Sequence, residues 1–429
     1  MAFMAYTNMN ENNWYKLDNA AKIYPAISGP GSSSIFRVAA LLKQDVDPQV
    51  LQEALALTAP RFPALSVRMK RGLFWYYFEF NPETPLVTVE KAPPCRPIKP
   101  DENNGYLFRV SYYKKRISLE IFHALTDGTG ALIFLKTLVS QYLTLLGHGV
   151  FTYAGILDCE DYPSVSETED SFRKYSGPKS NSKWKEEKAY HVNGTKMPSE
   201  YLGVVHGIIP LNDFIKLARE SNVTLTMYIT ALIIYSIYRT QLNNRRSYAP
   251  VKVSVPVNLR QYFPSKTLRN FSSFVNIGMS FDGQEYTFEQ ILNTVSQAMK
   301  SEVQPDKLIG KISANVNAEK NIFMRLAPLI LKNVVLRTAY NAYGVSQFTC
   351  SFSNLGAIKL PEEMEQYIER FEFVLGAPAA NMINCTACSF KDDLIITFTK
   401  MMHETDIEKF FFRYLTQQGL SVTIETNRG

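Results

Sequence analysis

Cysteine is scarce in this 429-residue sequence: there are five, Cys95, Cys159, Cys350, Cys385 and Cys388. An odd, sparse set does not build the disulfide framework on which small secreted folds depend. The opening Met1-Ala-Phe-Met-Ala-Tyr-Thr-Asn has neither the charged nor the apolar region of a secretory leader, so a reducing, cytoplasmic setting is expected. Long apolar runs are missing too. The longest are Met227 to Tyr238 and Leu326 to Leu336, the second interrupted by Lys332 and flanked by Arg325 and Arg337, and neither reaches the roughly 20 residues of a membrane span. No transmembrane segment is expected; peripheral membrane contact through the 325–337 helix is the alternative to plain core packing. Nor is there a block of one charge. The 46 Lys+Arg and 40 Asp+Glu leave +6 spread through the chain, without the clustered basic face of a nucleic-acid binder.

What is present is ordinary for a folded chain: 46% hydrophobic and 20% charged residues, which excludes extensive disorder and repetitive fibres. At roughly 150 residues per domain the length allows two or three domains. Strand and helix patterns alternate in the first part. Ser34 to Leu42 reads as a strand, and Asp47-Pro48 caps a helix whose apolar face is Leu51, Ala54, Leu55 and Thr58. Ala64 to Lys70 and Leu73 to Phe80 form a hairpin at Arg71-Gly72, Tyr106 to Tyr113 and Arg116 to Phe122 are strands, and Ala131 to Leu146 is a helix. From Asp158 to Ser199 Glu, Asp, Ser, Lys and Pro replace the apolar periodicity, a crossover punctuated by Gly177-Pro178 and Asn193-Gly194. Beyond it come a strand at Tyr201 to Ile209, helices Leu211 to Ser221 and Leu225 to Arg239, and strands Val251 to Val257 and Phe271 to Ser280. Thr287 and Gln290 then open a capped helix, and residues 318–341 read as helical. Strands Ser346 to Phe352, Phe371 to Leu375, Met382 to Phe390 and Leu394 to Thr399 precede a last helix, Thr405 to Thr416. The class is α+β, helices layered on mixed, largely antiparallel sheets, with residues 1–157 and 200–429 as two subdomains joined by residues 158–199.

The informative segment is Ser118-Leu-Glu-Ile-Phe-His-Ala-Leu-Thr-Asp-Gly-Thr-Gly130. Period two puts His123 on the face of Ile117, Leu119 and Ile121, so an imidazole stands at the end of an apolar strand face, where the strand gives way to a turn. A purely structural account is available: Asp127 caps the next helix, Gly128 and Gly130 turn the chain, and His123 is a strand-end histidine. The other histidines, His148, His191, His206 and His403, have no metal-spaced partners. Cys385-Thr-Ala-Cys388 lacks the two further ligands of a zinc site and lies in a strand pattern, unlike a redox motif. Gly29-Pro-Gly-Ser-Ser-Ser34 lacks the lysine of a phosphate loop.

His123-x-x-x-Asp127-Gly128, after a strand and before a helix, resembles the H-x-x-x-D-G motif of the chloramphenicol-acetyltransferase-like superfamily. Val255-Pro-Val-Asn-Leu-Arg260 with Leu268-Arg-Asn-Phe-Ser-Ser-Phe-Val-Asn-Ile-Gly278 is similar to that superfamily's N-x-R strand and the segment after it. Cys350-Ser-Phe-Ser-Asn-Leu-Gly356 resembles the S-N-x-G strand of its alcohol acetyltransferase branch. The D-F-G-W-G motif of plant BAHD enzymes is absent, and Phe122 stands where condensation domains carry a second histidine.

The resemblance implies two similar subdomains with the active site in a tunnel at their interface. It implies acyl transfer from a thioester to a hydroxyl or amine, with acetyl-CoA or another acyl-CoA as cosubstrate and no permanently bound cofactor or metal. His123 would be the general base, since imidazole titrates near neutrality. Asp127 would pair with Arg260 across the two halves, Gly128 would allow close backbone approach, and Ser353 or Asn354 would donate to the oxyanion. Asn276 is a weaker candidate for a channel wall. An acyl carrier protein as donor, and a binding protein that keeps the fold without turnover, are the alternatives. A monomer is expected.

Overall fold

A computed structural model of the chain describes residues 14–29, 33–99, 101–177, 186–198, 200–243, 245–320, 326–376 and 381–427. Pro178, Arg325 and the middle of the Gly29–Ser34 turn lie outside the described residues. The elements before the crossover are β1 (Trp14–Lys16), β2 (Ile35–Leu42), α1 (Pro48–Thr58), β3 (Val67–Arg71), β4 (Tyr76–Phe80), β5 (Val87–Val89), β6 (Phe108–Tyr113), β7 (Arg116–Phe122) and α2 (Gly128–Leu145). After it come β8 (Gly203–Pro210), α3 (Leu211–Glu220), α4 (Leu225–Ile237), β9 (Val251–Asn258), β10 (Ser272–Met279), α5 (Phe288–Glu302), α6 (Pro305–Lys320), α7 (Leu329–Tyr343), β11 (Cys350–Ala357), β12 (Ile368–Leu375), β13 (Ile383–Phe390), β14 (Asp393–Lys400), α8 (Asp406–Gln417) and β15 (Thr423–Thr426).

Local signals act where the sequence places them. The Asp47 carboxylate accepts from the Gln49 and Val50 amides ahead of Pro48, and α1 buries Leu51, Ala54, Leu55 and Thr58. Thr287 and Gln290 form a reciprocal capping box on α5, which satisfies amide groups that a helix start otherwise leaves unpaired. The expected helix over 318–341 is a merger of two: α6 ends at Lys320, Pro328 precedes α7, and residues 321–325 lie outside the described ones. A proline interrupts the amide ladder, so one helix does not continue through it. The short pairings of β1, β5 and β15 have no periodic pattern long enough to read in advance.

Two sheets carry the molecule: β12-β2-β7-β6-β5, and β10-β9-β11-β13-β14-β8-β15. The small sheet β1-β4-β3 stands apart. The first sheet is antiparallel except at β5/β6, and in the second β11 runs parallel to both β9 and β13. A simple division of the chain by number is crossed at one place. β12, after the crossover in sequence, pairs antiparallel with β2, Phe373 opposite Val38, and so extends the sheet of the first half. The reason is packing: Phe371 and Phe373 bury with Phe36, Leu119 and Ile121 in the first core. The C-x-x-C strand joins the two cores from opposite faces, Cys385 in the second and Cys388 in the first, so their thiols cannot share one ion. No group of three potential ligands is found among the described residues.

α4 is apolar nearly all round and buried in the second core, as such a helix must be in water. No single described helix is long and apolar enough to cross a membrane.

Candidate active site

β7 ends at Phe122, which is buried, and the next residue turns out of the sheet: the His123 amide donates to the Ser34 carbonyl at 2.9 Å. The imidazole then lies against two rings. Tyr24 stacks on it, centroids 4.6 Å apart and planes 12° apart, and Phe36 meets it edge-on at 5.0 Å. This apolar wall strips water from the ring, and burial holds the His123 pKa below its ordinary 6.5, because the charged form loses most by desolvation. The side chain is therefore neutral at pH 7.

Its tautomer is fixed by Asn270. The Asn270 Nδ2 donates to the His123 carbonyl at 3.0 Å and to Asp18 Oδ2 at 3.4 Å. Both are acceptors, so the amide nitrogen must face them and Oδ1 must face the ring. Oδ1 lies 3.1 Å from His123 Nδ1. A carbonyl oxygen only accepts, so Nδ1 carries the proton and Nε2 keeps its lone pair. Asp18 is itself fully buried, accepts from the Ala21 amide at 2.7 Å, and is pushed up to about 6 by burial against the opposing pull of Arg269.

Four residues on, Asp127 serves two structures at once. Its Oδ1 accepts from the Thr129 and Gly130 amides and caps α2. Its Oδ2 accepts from Arg260 Nη1 at 2.7 Å and from the Phe271 amide at 2.8 Å. One oxygen of Asp127 thus caps the helix and the other takes the ion pair. Arg260 has its other donors on the carbonyls of Thr267 and Arg269 and is held like a bolt through the β9–β10 connection. With 12% and 6% side-chain exposure the pair is desolvated, so removing one partner leaves an uncompensated buried charge, a cost of about 3–5 kcal/mol. Thr126 Oγ1 to the Leu268 carbonyl and Asn258 Nδ2 to Thr129 Oγ1 add two more bonds between the same turn and the second half.

The glycines differ. A Cβ on Gly128 would come within 2.6 Å of Leu355 Cδ2, the mobile end of a side chain, whereas one on Gly130 would overlap the Leu268 carbonyl oxygen and Thr126 Oγ1. The stricter demand for glycine falls on Gly130, not on Gly128. The Leu355 contact also brings the Ser353–Gly356 stretch of β11 to this turn. Cys350 and Phe352 point into the core while Ser351 and Ser353 alternate outward. Pairing slips between Asn354 and Ala357, and Gly356 takes φ +74°. Asn354 builds that bulge: its Oδ1 accepts from the Gly356 amide at 2.8 Å and its Nδ2 donates to Thr226 Oγ1 at 3.1 Å. Its donor is thus engaged within the protein. Asn276 lies on edge strand β10 and donates to Glu186 of the crossover at 2.7 Å, which ties it to the linker.

Residues 204–385 match the family model described as alcohol acetyltransferase. That segment, under half of the chain, is similar to alcohol acetyltransferases, a match that indicates an acyltransferase. Its fold agrees with solved structures at low identity. The first condensation domain of the calcium-dependent antibiotic synthetase, in complex with a substrate analogue, is 15% identical with TM-score 0.61, over 96% of this chain and 100% of that one. TRI101 of F. sporotrichioides, complexed with coenzyme A and T-2, is 14% identical with TM-score 0.63, over 95% and 99%. Polyketide synthase associated protein 5 of Mycobacterium tuberculosis is 12% identical with TM-score 0.57, over 94% and 96%. A comparison of this acyltransferase with curated protein sequences gives no match.

His123, Asp127, Gly128 and Arg260 lie together at one turn, which the β11 bulge also reaches. Asn270 carries no signal of its own in the sequence although it sits inside the Leu268-Arg-Asn-Phe run. Asp18 and Tyr24, more than 90 residues from the histidine, have no signal in the sequence at all.

Proposed function

We propose that the chain transfers an acyl group from a coenzyme A thioester to a hydroxyl of a small or lipophilic alcohol, with His123 Nε2 as the general base. The observation that carries this is the Asn270 amide: it leaves Nε2 unprotonated in a ring that burial keeps neutral. Such a nitrogen can take the hydroxyl proton as the oxygen attacks the thioester carbonyl and return it to the departing thiolate. No covalent enzyme intermediate is required when both substrates are held at attack distance. Asp127 and Arg260 position the turn. Ser353, with no side-chain hydrogen bond among the described residues, is the oxyanion donor in preference to Asn354, whose amide is engaged. The acyl and acceptor channel runs to His123 between the two halves, 1–157 and 200–429, the latter lending β12 to the former. No resident cofactor takes part.

The coenzyme A complexes of the TRI101 structures support that donor. Carrier-protein thioesters are the second reading, favoured by the full-length likeness to condensation domains, while Phe122 in place of a second histidine favours the first. Purified protein given acetyl-CoA and a panel of alcohols should release free CoA and ester, and His123→Ala should lower both at least about a hundredfold; unchanged turnover in that variant would remove the assigned base. Acyl-carrier and acyl-CoA donors compared in one assay separate the two readings.

A further inference from the structure

Helix α7 is built inside out. Its inward positions include Leu329 and Lys332, the latter only 1% exposed, with Nζ on the Phe74 carbonyl at 2.8 Å and over the Trp75 ring at 3.8 Å. Its outward positions are aliphatic: Ile330 is 64% exposed and Val334 61%, with Leu331 and Val335 beside them. The helix is joined to the β3–β4 hairpin by the Leu329 amide on the Leu73 carbonyl, and the hairpin tip continues the apolar surface with Leu73, 73% exposed, and Phe74. Isolated exposed leucines need no explanation, but a contiguous aliphatic face on one helix and its neighbouring hairpin does.

Cations predominate beside the patch, and Glu319, next to Lys320, is taken up by Lys22 and Arg173. No Asp or Glu occurs from Lys320 to Pro361, while Arg337, Lys320 and, at the hairpin, Arg71 are exposed. On the hairpin Glu79 is engaged by Arg68. Trp14 and Trp75 lie at the margin, Trp14 half exposed on the Tyr77 ring. Aliphatic residues outward, cations beside them and tryptophans at the edge are what an interfacial helix presents to lipid. The outer face of a helix and a hairpin tip are convex, so they suit a flat, deformable bilayer better than a helix that needs a groove. The patch also borders the site: α7 packs on the turn Tyr24–Ile27, and Tyr24 is the ring stacked on His123.

We infer that this face, α7 with the β3–β4 tip, docks on an anionic lipid bilayer and sets the mouth near His123 against the membrane, where a lipophilic acceptor is dissolved. The acceptor class rests on the acyltransferase reading; the docking does not. The test is flotation of the purified chain with phosphatidylcholine vesicles, with and without phosphatidylserine, alongside light scattering for its mass. Binding should be stronger with phosphatidylserine, fall with added salt, and drop about tenfold or more in Ile330→Glu with Val334→Glu and in Leu73→Glu alone, with unchanged circular dichroism and unchanged turnover of a water-soluble alcohol. Absence of binding to both vesicle types overturns the inference, and a dimer that the glutamates dissociate would identify the occupant as a second copy instead. Vesicle binding without turnover of any alcohol would leave the docking standing and remove the acyltransferase reading.

Discussion

The two halves of the molecule contribute unequally to one site. The first supplies the reacting nitrogen on His123 and the capped helix start at Asp127. The long-range hydrogen bonds and close contacts on that turn come from the second: Asn270 on the imidazole, Arg260 and the Phe271 amide on the carboxylate, the Leu268 carbonyl on Thr126, Leu355 on Gly128. The base is thus local in sequence while its orientation, its tautomer and its support are imported across more than 100 residues. A site divided in this way exists only when both halves are folded and joined. Its chemistry and its stability should then fail separately according to which half is changed.

His123→Ala removes the first half's contribution alone. It should lower acyl transfer about a hundred- to ten-thousand-fold while the chain still folds, measured by CoA release and circular dichroism. Asp127→Ala or Arg260→Ala attacks the import instead: each should cost about 3–5 kcal/mol in urea unfolding, and the double substitution less than the sum, because the second removal relieves the charge stranded by the first. Ser353→Ala should lower kcat about a hundredfold with KM little moved; equal loss in Asn354→Ala with Ser353→Ala unaffected would exchange their roles. Asn270→Asp sets a carboxylate beside Nδ1 and favours the charged imidazole. In the wild type the depressed pKa puts the acid limb of kcat/KM below 6.5, and the variant should move that limb upward by about one unit. The same depression means that the folded chain binds the His123 proton less readily than the unfolded chain. That contribution to stability is therefore intact above 6.5 and is lost as the pH falls toward the folded value. Smallest of all, Gly128→Ala should cost under about 1 kcal/mol, since Leu355 can swing away, whereas Gly130→Ala meets backbone and should cost more.

How much of this could be read from the residues alone follows the same division. The α+β class, the Asp47 and Thr287 caps, the β3–β4 hairpin and the order of the long elements were legible because each rests on a short window of sequence. His123, Asp127 and Gly128 were legible for the same reason, and Arg260 through the resemblance of its strand. Asn270 was not, because an asparagine beside an arginine looks like any turn until the imidazole is placed against it. Asp18 and Tyr24 reach the site from a short stretch before β2 with no periodicity of its own. The break between α6 and α7 was lost because apolar residues continue on both sides of Pro328. The outward row of α7 was legible as an apolar, basic stretch, but only the burial of Lys332 shows which face is turned to water.

β12 has a consequence in time. The strand that completes the first sheet beside β2 is made some 250 residues after the histidine strand, and its Phe371 carbonyl receives the Cys388 thiol from the opposite sheet. As the chain emerges from the ribosome, the first half therefore waits with an open edge at β2, an invitation to wrong pairing, until residue 375 is available. The long separation also raises the entropy of closing that contact and slows the final step. Arg37, paired with Glu120 of β7 and with Glu90, ties β2 to the rest of the first sheet in the meantime. Maturation of the acyltransferase is thus governed by the last third of its sequence, whatever the first third has already folded.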